Sequence, residues 1–148
     1  MEEGTFVAQS RHRRGQVDDS SHHHSWNLHS VWDTAMIEAE VNGSFNASRA
    51  VFESYLIDVS QSPDYEERIE QWSQCGDGGN KECTTQWGEE GWEAAIQYAY
   101  QNTDGTEVHD GSTLTQDYFA TRFPIVQDRL IAAGVRLAET LKVIYSSE

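Results

Sequence analysis

At 148 residues the chain is long enough for one domain with a real core, and 5 Trp, 6 Tyr and 5 Phe favour a packed protein over a disordered one. Its 25 acidic side chains against 10 basic ones give a net charge of −15. That excludes a generic nucleic-acid-binding surface, which would carry a basic stripe and bind by counterion release, but not an enzyme that meets phosphate through bound cations. No apolar run reaches the roughly 18 residues a membrane span needs. The amino terminus lacks the apolar core of a signal peptide, so either the chain is intracellular or its natural start lies upstream; features described below favour the second.

Residues 1–26 form a polar lead-in, expected to be disordered. It carries the basic cluster Arg11, His12, Arg13 and Arg14, then Asp18, Asp19 and the run His22-His23-His24. A His run can bind metal, but a polar low-complexity tail accounts for it equally well, and no catalytic role is assigned to these three residues. The remainder, 27–146, reads as one helical domain. A first helix is predicted from Leu28 to about Val41, with Asn27 as its N-cap and Leu28, Val31, Trp32, Ala35, Met36 and Ala39 as its apolar stripe. Asn42-Gly43-Ser44 makes a turn. A second helix follows over about Ser48 to Val59, with Val51, Phe52, Tyr55, Leu56 and Val59 facing inward. Ser62-Pro63 is a cap followed by proline at the first helical position, which starts a third helix reaching Trp72.

Cys75 to Cys83 is a Gly- and Asp-rich loop without the alternating ligands and terminal Glu of a calcium site. Trp87 to Gln101 is predicted helical, with Trp92, Ala95, Ile96 and Ala99 inside. Asn102-Thr103-Asp104-Gly105 turns the chain, and Leu114 to about Tyr145 is helical throughout, with a bend at Phe123-Pro124. Val126, Leu130, Ala133, Leu137, Leu141 and Ile144 form its stripe, with Gly134 as a point for close helix contact. No strand-like alternation appears, so the fold class is all-α.

The stretch with chemical content is Asn27-Leu28-His29-Ser30-Val31-Trp32-Asp33. At ~100° per residue, His29 and Asp33 lie about 40° apart around the helix axis and one turn apart along it. An imidazole and a carboxylate so placed can close on one divalent cation, and this donor mixture suits zinc. The bland reading is a surface His–Asp pair, which many helices carry by chance. The placement of the two on the flank of an apolar stripe, oriented yet reachable, favours the ligand reading.

Two further features speak to the chain's history. Cys75 and Cys83 are the only cysteines and bracket a flexible loop, so a disulfide between them is expected, although a reduced pair fits the count as well. Asn42-Gly43-Ser44 and Asn46-Ala47-Ser48 are both N-glycosylation sequons, at Asn42 and Asn46, in or beside one exposed turn. Together they favour passage through a secretory pathway.

The seven-residue stretch resembles the helix that carries a zinc-binding His and Asp in secreted, single-strand-preferring nucleases of fungi and plants, the S1/P1 type. These include 3′-nucleotidases and share a helical fold with bacterial zinc phospholipase C. Trp92-Glu93-Ala94-Ala95 and the run Tyr118 to Leu141, with Ala133-Gly134-Val135-Arg136-Leu137-Ala138, are similar to that family's later helices. The resemblance covers roughly residues 27 to 145. It implies phosphodiester hydrolysis of single-stranded DNA or RNA by a three-zinc cluster, releasing 5′-phosphorylated products, with His29 and Asp33 as two ligands of one zinc. It also implies an amino-terminal Trp and further His and Asp ligands. Met1 is not Trp, and residues 1 to 25 lack the segment expected there. The chain is therefore expected to represent the carboxy-terminal half of such an enzyme, with the other ligands on a missing amino-terminal half and little activity alone. The alternative is a non-catalytic acidic helical protein in which the motif is ordinary packing.

Overall fold

The computed structural model describes residues 6–8, 25–74 and 81–146, without the side chains of 6–8, 25, 26, 81 and 82. The first helix, α1, begins at Leu28–Ser30, widens into a π-helical turn over Val31–Ala35 and returns to α geometry over Met36–Ser44. Its start is set as the sequence predicts: Asn27 is extended, and its Oδ1 accepts from the Ser30 amide at 2.8 Å. The helix runs three residues past the predicted end, and the turn falls at Asn46 and Ala47, which both take positive φ (53° and 56°).

Helix α2 (Arg49–Ser60) is capped by Ser48, whose Oγ accepts from the Val51 amide at 3.3 Å. A 3₁₀ turn at Pro63–Tyr65, with proline at its start, leads into α3 (Glu66–Ser73). Helix α4 covers Lys81–Ala94 and also ends in a π-helical turn, Ala95–Ala99. Helix α5 (Gln116–Ser146) is a single 31-residue element that continues through Pro124. Among the described residues no helix is long and apolar enough to cross a membrane.

The fold is all-α apart from one small sheet that the sequence does not announce. Strand β1 (Phe6–Ala8) pairs in parallel with β2 (Ser25–Trp26) and antiparallel with β3 (Thr113–Leu114), with Val7 opposite Ser25 and Phe6 opposite Leu114. Strands of two or three residues are too short to show alternation, so the lead-in and the start of the predicted last helix read otherwise. The sheet ends beside the core, because Leu114 is fully buried there.

That core joins α1 to the first half of α5: Val31, Met36, Leu114, Tyr118, Phe119 and Val126 are buried together, with Leu28, Trp32, Ile37 and Leu130 packed against them. Fully burying a side chain of this size stabilises by roughly 1.5–3 kcal/mol. Polar contacts fasten α3 and its preceding turn to α5. Arg68 meets Asp128 at 2.7 Å, Tyr65 donates to Asp128, and the Gln127 amide donates to the Tyr65 oxygen at 3.1 Å.

Several predicted inward faces prove to be outward ones. Val51 of α2, Trp92 (65% exposed) and Ile96 of α4, and Leu137 (60% exposed), Leu141 and Ile144 of α5 are exposed. Ala39 and Ala133 are exposed as well. In α5 the buried positions beyond Leu130 are instead Ile131, Ala132 and Arg136. A Cβ added at Gly134 would meet nothing within 4 Å, so this glycine serves no close helix contact. Periodicity identifies an apolar face but carries no information about whether another element covers it. Lys81 to Cys83 is helix rather than loop. Cys83 is buried and is not a free thiol, while its expected partner, Cys75, lies outside the described residues.

Candidate metal-ligand pair and its support

His29 and Asp33 come together as their spacing predicts. Nε2 of His29 lies 2.9 Å from Oδ2 of Asp33, and both side chains are open to solvent, 80% and 57% exposed. His29 belongs to the opening α-helical turn and Asp33 to the π-helical turn that follows it. In that turn the Met36 amide donates to the Val31 carbonyl, five residues back. A wide turn holds one more residue than an α turn, so each residue advances by less than 100°. Asp33 is thereby carried closer to the azimuth of His29 than the 40° of a regular helix. Wide turns of this kind concentrate at functional sites.

Asp33 also stands at the edge of a cavity of about 400 Å³ between α1, α2 and α5, whose walls include Ile37, Val41, Phe52 and Leu130 below and Glu38, Arg49 and Glu53 at the rim. Arg49 reaches Glu38 at 3.4 Å across this rim. The cleft is thus apolar at its base and mixed in charge at its mouth, with the ligand pair beside it.

The donor set fits zinc as two ligands and no more. An imidazole nitrogen and a carboxylate oxygen 2.9 Å apart need only a small opening to share one cation, whereas a catalytic zinc takes three protein ligands. Among the described residues no group of three or more His, Cys, Asp or Glu side chains converges. His109, the other described histidine, uses its backbone in a turn, where its amide donates to Ser112 Oγ at 2.8 Å. His22, His23 and His24 lie outside the described residues, as does Cys75. Asn42 and Asn46 are exposed on either side of the end of α1.

Behind the pair stands a side chain the sequence did not single out. Tyr118 is 1% exposed; its Oη accepts from Trp32 Nε1 at 2.9 Å and donates to the Ala99 carbonyl at 2.8 Å. Burial raises the pKa of its phenol, and the hydrogen bond from Trp32 and the charge of Arg122 offset part of that rise. Arg122 lies 5.4 Å over the Tyr118 ring and donates to the carbonyls of Tyr98 and Gln101, each at 3.1 Å. Sequence carried no signal for this arrangement, since its partners lie 19 and 86 residues away.

These features define a helical protein with a solvent-facing imidazole–carboxylate pair, its carboxylate on a wide turn, beside a cleft. The S1/P1 Nuclease family model matches residues 15–146, and the chain belongs to that family. It is similar to Endonuclease 4 of Arabidopsis thaliana, 34% identical over 122 residues that make up 82% of this chain and 38% of the relative. Endonuclease 5 of the same plant is 31% identical over 130 residues (86% of this chain, 40% of the relative), and Endonuclease 3 is 32% identical over 124 (82% and 39%). The chain therefore spans about two fifths of the length of the curated relatives it matches.

Proposed function

We propose that this chain supplies part of the zinc site of a nuclease that hydrolyses phosphodiester bonds of single-stranded DNA or RNA to 5′-phosphorylated products, with 3′-nucleotidase activity on nucleotides. The observation that carries the reading is the His29–Asp33 pair, two exposed donors 2.9 Å apart on one face of α1, in a chain of the S1/P1 nuclease family. His29 would hold the cation through its ring nitrogen and Asp33 through a carboxylate oxygen. Bound zinc supplies an electrophile that activates water and stabilises charge on phosphate oxygens at neutral pH. The remaining ligands come from polypeptide corresponding to the part of the relatives that this chain does not match. Local cationic charge from the metal is what lets so acidic a chain meet a polyanion.

Two ligands hold zinc weakly, so residues 1–148 alone bind it with low affinity and show little or no nuclease activity. Isothermal titration should find zinc binding that is lost in both His29→Ala and Asp33→Ala, and kept in His109→Ala. Fused to an amino-terminal portion of a relative, the chain should cleave single-stranded nucleic acid, and the same two substitutions should cripple turnover. Vigorous, chelator-sensitive cleavage by the 148-residue chain alone would overturn the two-ligand reading. Zinc binding indifferent to His29 and Asp33, together with an inactive fusion, would leave an acidic helical protein without catalysis.

The same reading places the protein in a secretory pathway, with Cys83 bridged to Cys75 and glycans on Asn42 and Asn46. A bridge closing so short a loop contributes roughly 2–3 kcal/mol through the unfolded state. Intact mass of secreted, non-reduced protein tests all of this at once. Two alkylatable thiols, or a mass unchanged by glycosidase, would remove the corresponding claim.

A further inference from the structure

We propose that Tyr118 is a positioning residue for the His29–Asp33 pair, acting through Trp32; its bearing on zinc rests on the function proposed above, and its bearing on the geometry of the pair does not. Trp32 lies between the two donors in sequence, inside the wide turn, and its indole points the other way, onto the Tyr118 oxygen at 2.9 Å. A π-helical turn is rare and does not persist on local preference alone; something in the tertiary structure must hold it open. The indole N–H is half of that restraint, and the packing of Val31, Ala35 and Met36 into the core on the same side is the other half.

Tyr118 is itself fixed from the far side. Its hydroxyl donates to the carbonyl of Ala99, the last residue of the second π-helical turn, where helix geometry leaves carbonyls without an intrahelical partner. Arg122 covers its ring and ties two neighbouring carbonyls at the same helix end. The end of α4 thus sets Tyr118, Tyr118 sets Trp32, and Trp32 sets the turn on which Asp33 approaches His29. The first two links are single hydrogen bonds of ordinary length in buried or half-buried settings, where an unmade bond is costly to leave, and the third is the backbone of the turn itself. The restraint therefore acts on angle and distance at the pair without touching either donor.

The test is Tyr118→Phe, which keeps the ring and removes only the oxygen, read by zinc titration and by NMR of the Trp32 indole and His29 ring resonances. Phe119→Leu is the control: a neighbouring core change that lowers the melting temperature and leaves the relay intact. Tyr118→Phe should weaken zinc binding on the order of tenfold, the low end of what losing a hydrogen bond behind a metal ligand costs. It should also shift the Trp32 and His29 resonances, while Phe119→Leu should leave both the affinity and those resonances in place. Should Tyr118→Phe fail to fold, Trp32→Phe removes the same bond from the other side and should give the same loss of zinc affinity and the same kind of shift at His29. Unchanged His29 resonances and unchanged affinity in a folded variant overturn the positioning role alone. Shifted His29 resonances in Tyr118→Phe, alongside a wild-type chain that takes up no zinc, keep the positioning role and overturn the metal reading instead.

Discussion

Glu90 and Asp33 each face nitrogen donors at short range, yet their settings differ in almost every respect. Glu90, on α4, accepts from Arg129 at 2.8 Å and from Arg136 at 2.6 Å, both on α5. Arg136 is only 8% exposed at its side chain, lies 5.2 Å over the Trp87 ring, and keeps a buried Nε with no hydrogen-bond partner. Burial pushes the Glu90 carboxyl upward, but the hydrogen bonds and charges of the two arginines outweigh it and hold the group below the ordinary Glu range. Asp33 meets one imidazole on its own helix, four residues back, in open solvent. The first arrangement joins two helices distant in sequence and is committed to holding them. The second joins nothing that the helix does not already join, and so remains available to a ligand.

The contrast predicts unequal responses to losing the carboxylate. Glu90→Gln should destabilise the protein by about 2 kcal/mol, below the 3–5 typical of a broken buried pair because Glu90 is itself partly exposed. Urea unfolding at neutral pH reads this directly. The pH dependence follows from the same depressed pKa. Glu90 contributes fully above its unfolded value, near 4.5, and its contribution is lost as the pH falls from there through the lower folded value. The gap between wild type and Glu90→Gln should therefore close in that acid window. A gap constant from pH 7 to pH 3 would mean that the charge of Glu90 does not hold the two arginines.

The two sites also differ in how legible they were. The His29–Asp33 spacing, the Asn27 and Ser48 caps and the Pro63 helix start are local features, and local features survive into the fold. Glu90 with Arg136 joins positions 46 residues apart, which no window over the sequence brings together. Arg136 shares the inward face of α5 with the buried Ala132, whereas the apolar spacing pointed to Ala133 and Leu137. The wide turns at Val31–Ala35 and Ala95–Ala99 had no comparable signal, because what holds them is a tyrosine from another helix. The misplaced faces of α4 and α5 have a different cause. Leu137, Leu141, Trp92 and Ile96 sit at valid apolar spacing, but the fold leaves them exposed.

The smallest expected effect completes the comparison. His29→Ala removes one side of an imidazole–carboxylate contact whose members are 80% and 57% exposed, and exposed polar pairs contribute little because water competes with them and ordering two side chains costs entropy. In the presence of a chelator its unfolding midpoint should match wild type to within about 0.5 kcal/mol, a quarter of the Glu90→Gln effect. Zinc separates the two proteins. A ligand that binds only the folded state stabilises it by about 2.7 kcal/mol at a hundredfold excess over its dissociation constant, and that increment should appear in wild type and vanish in His29→Ala. A loss above about 1 kcal/mol in chelator would instead show the pair holding α1 together. Asp33 and Glu90 would then be two cases of one structural device, and the wide turn would belong to the fold rather than to a site.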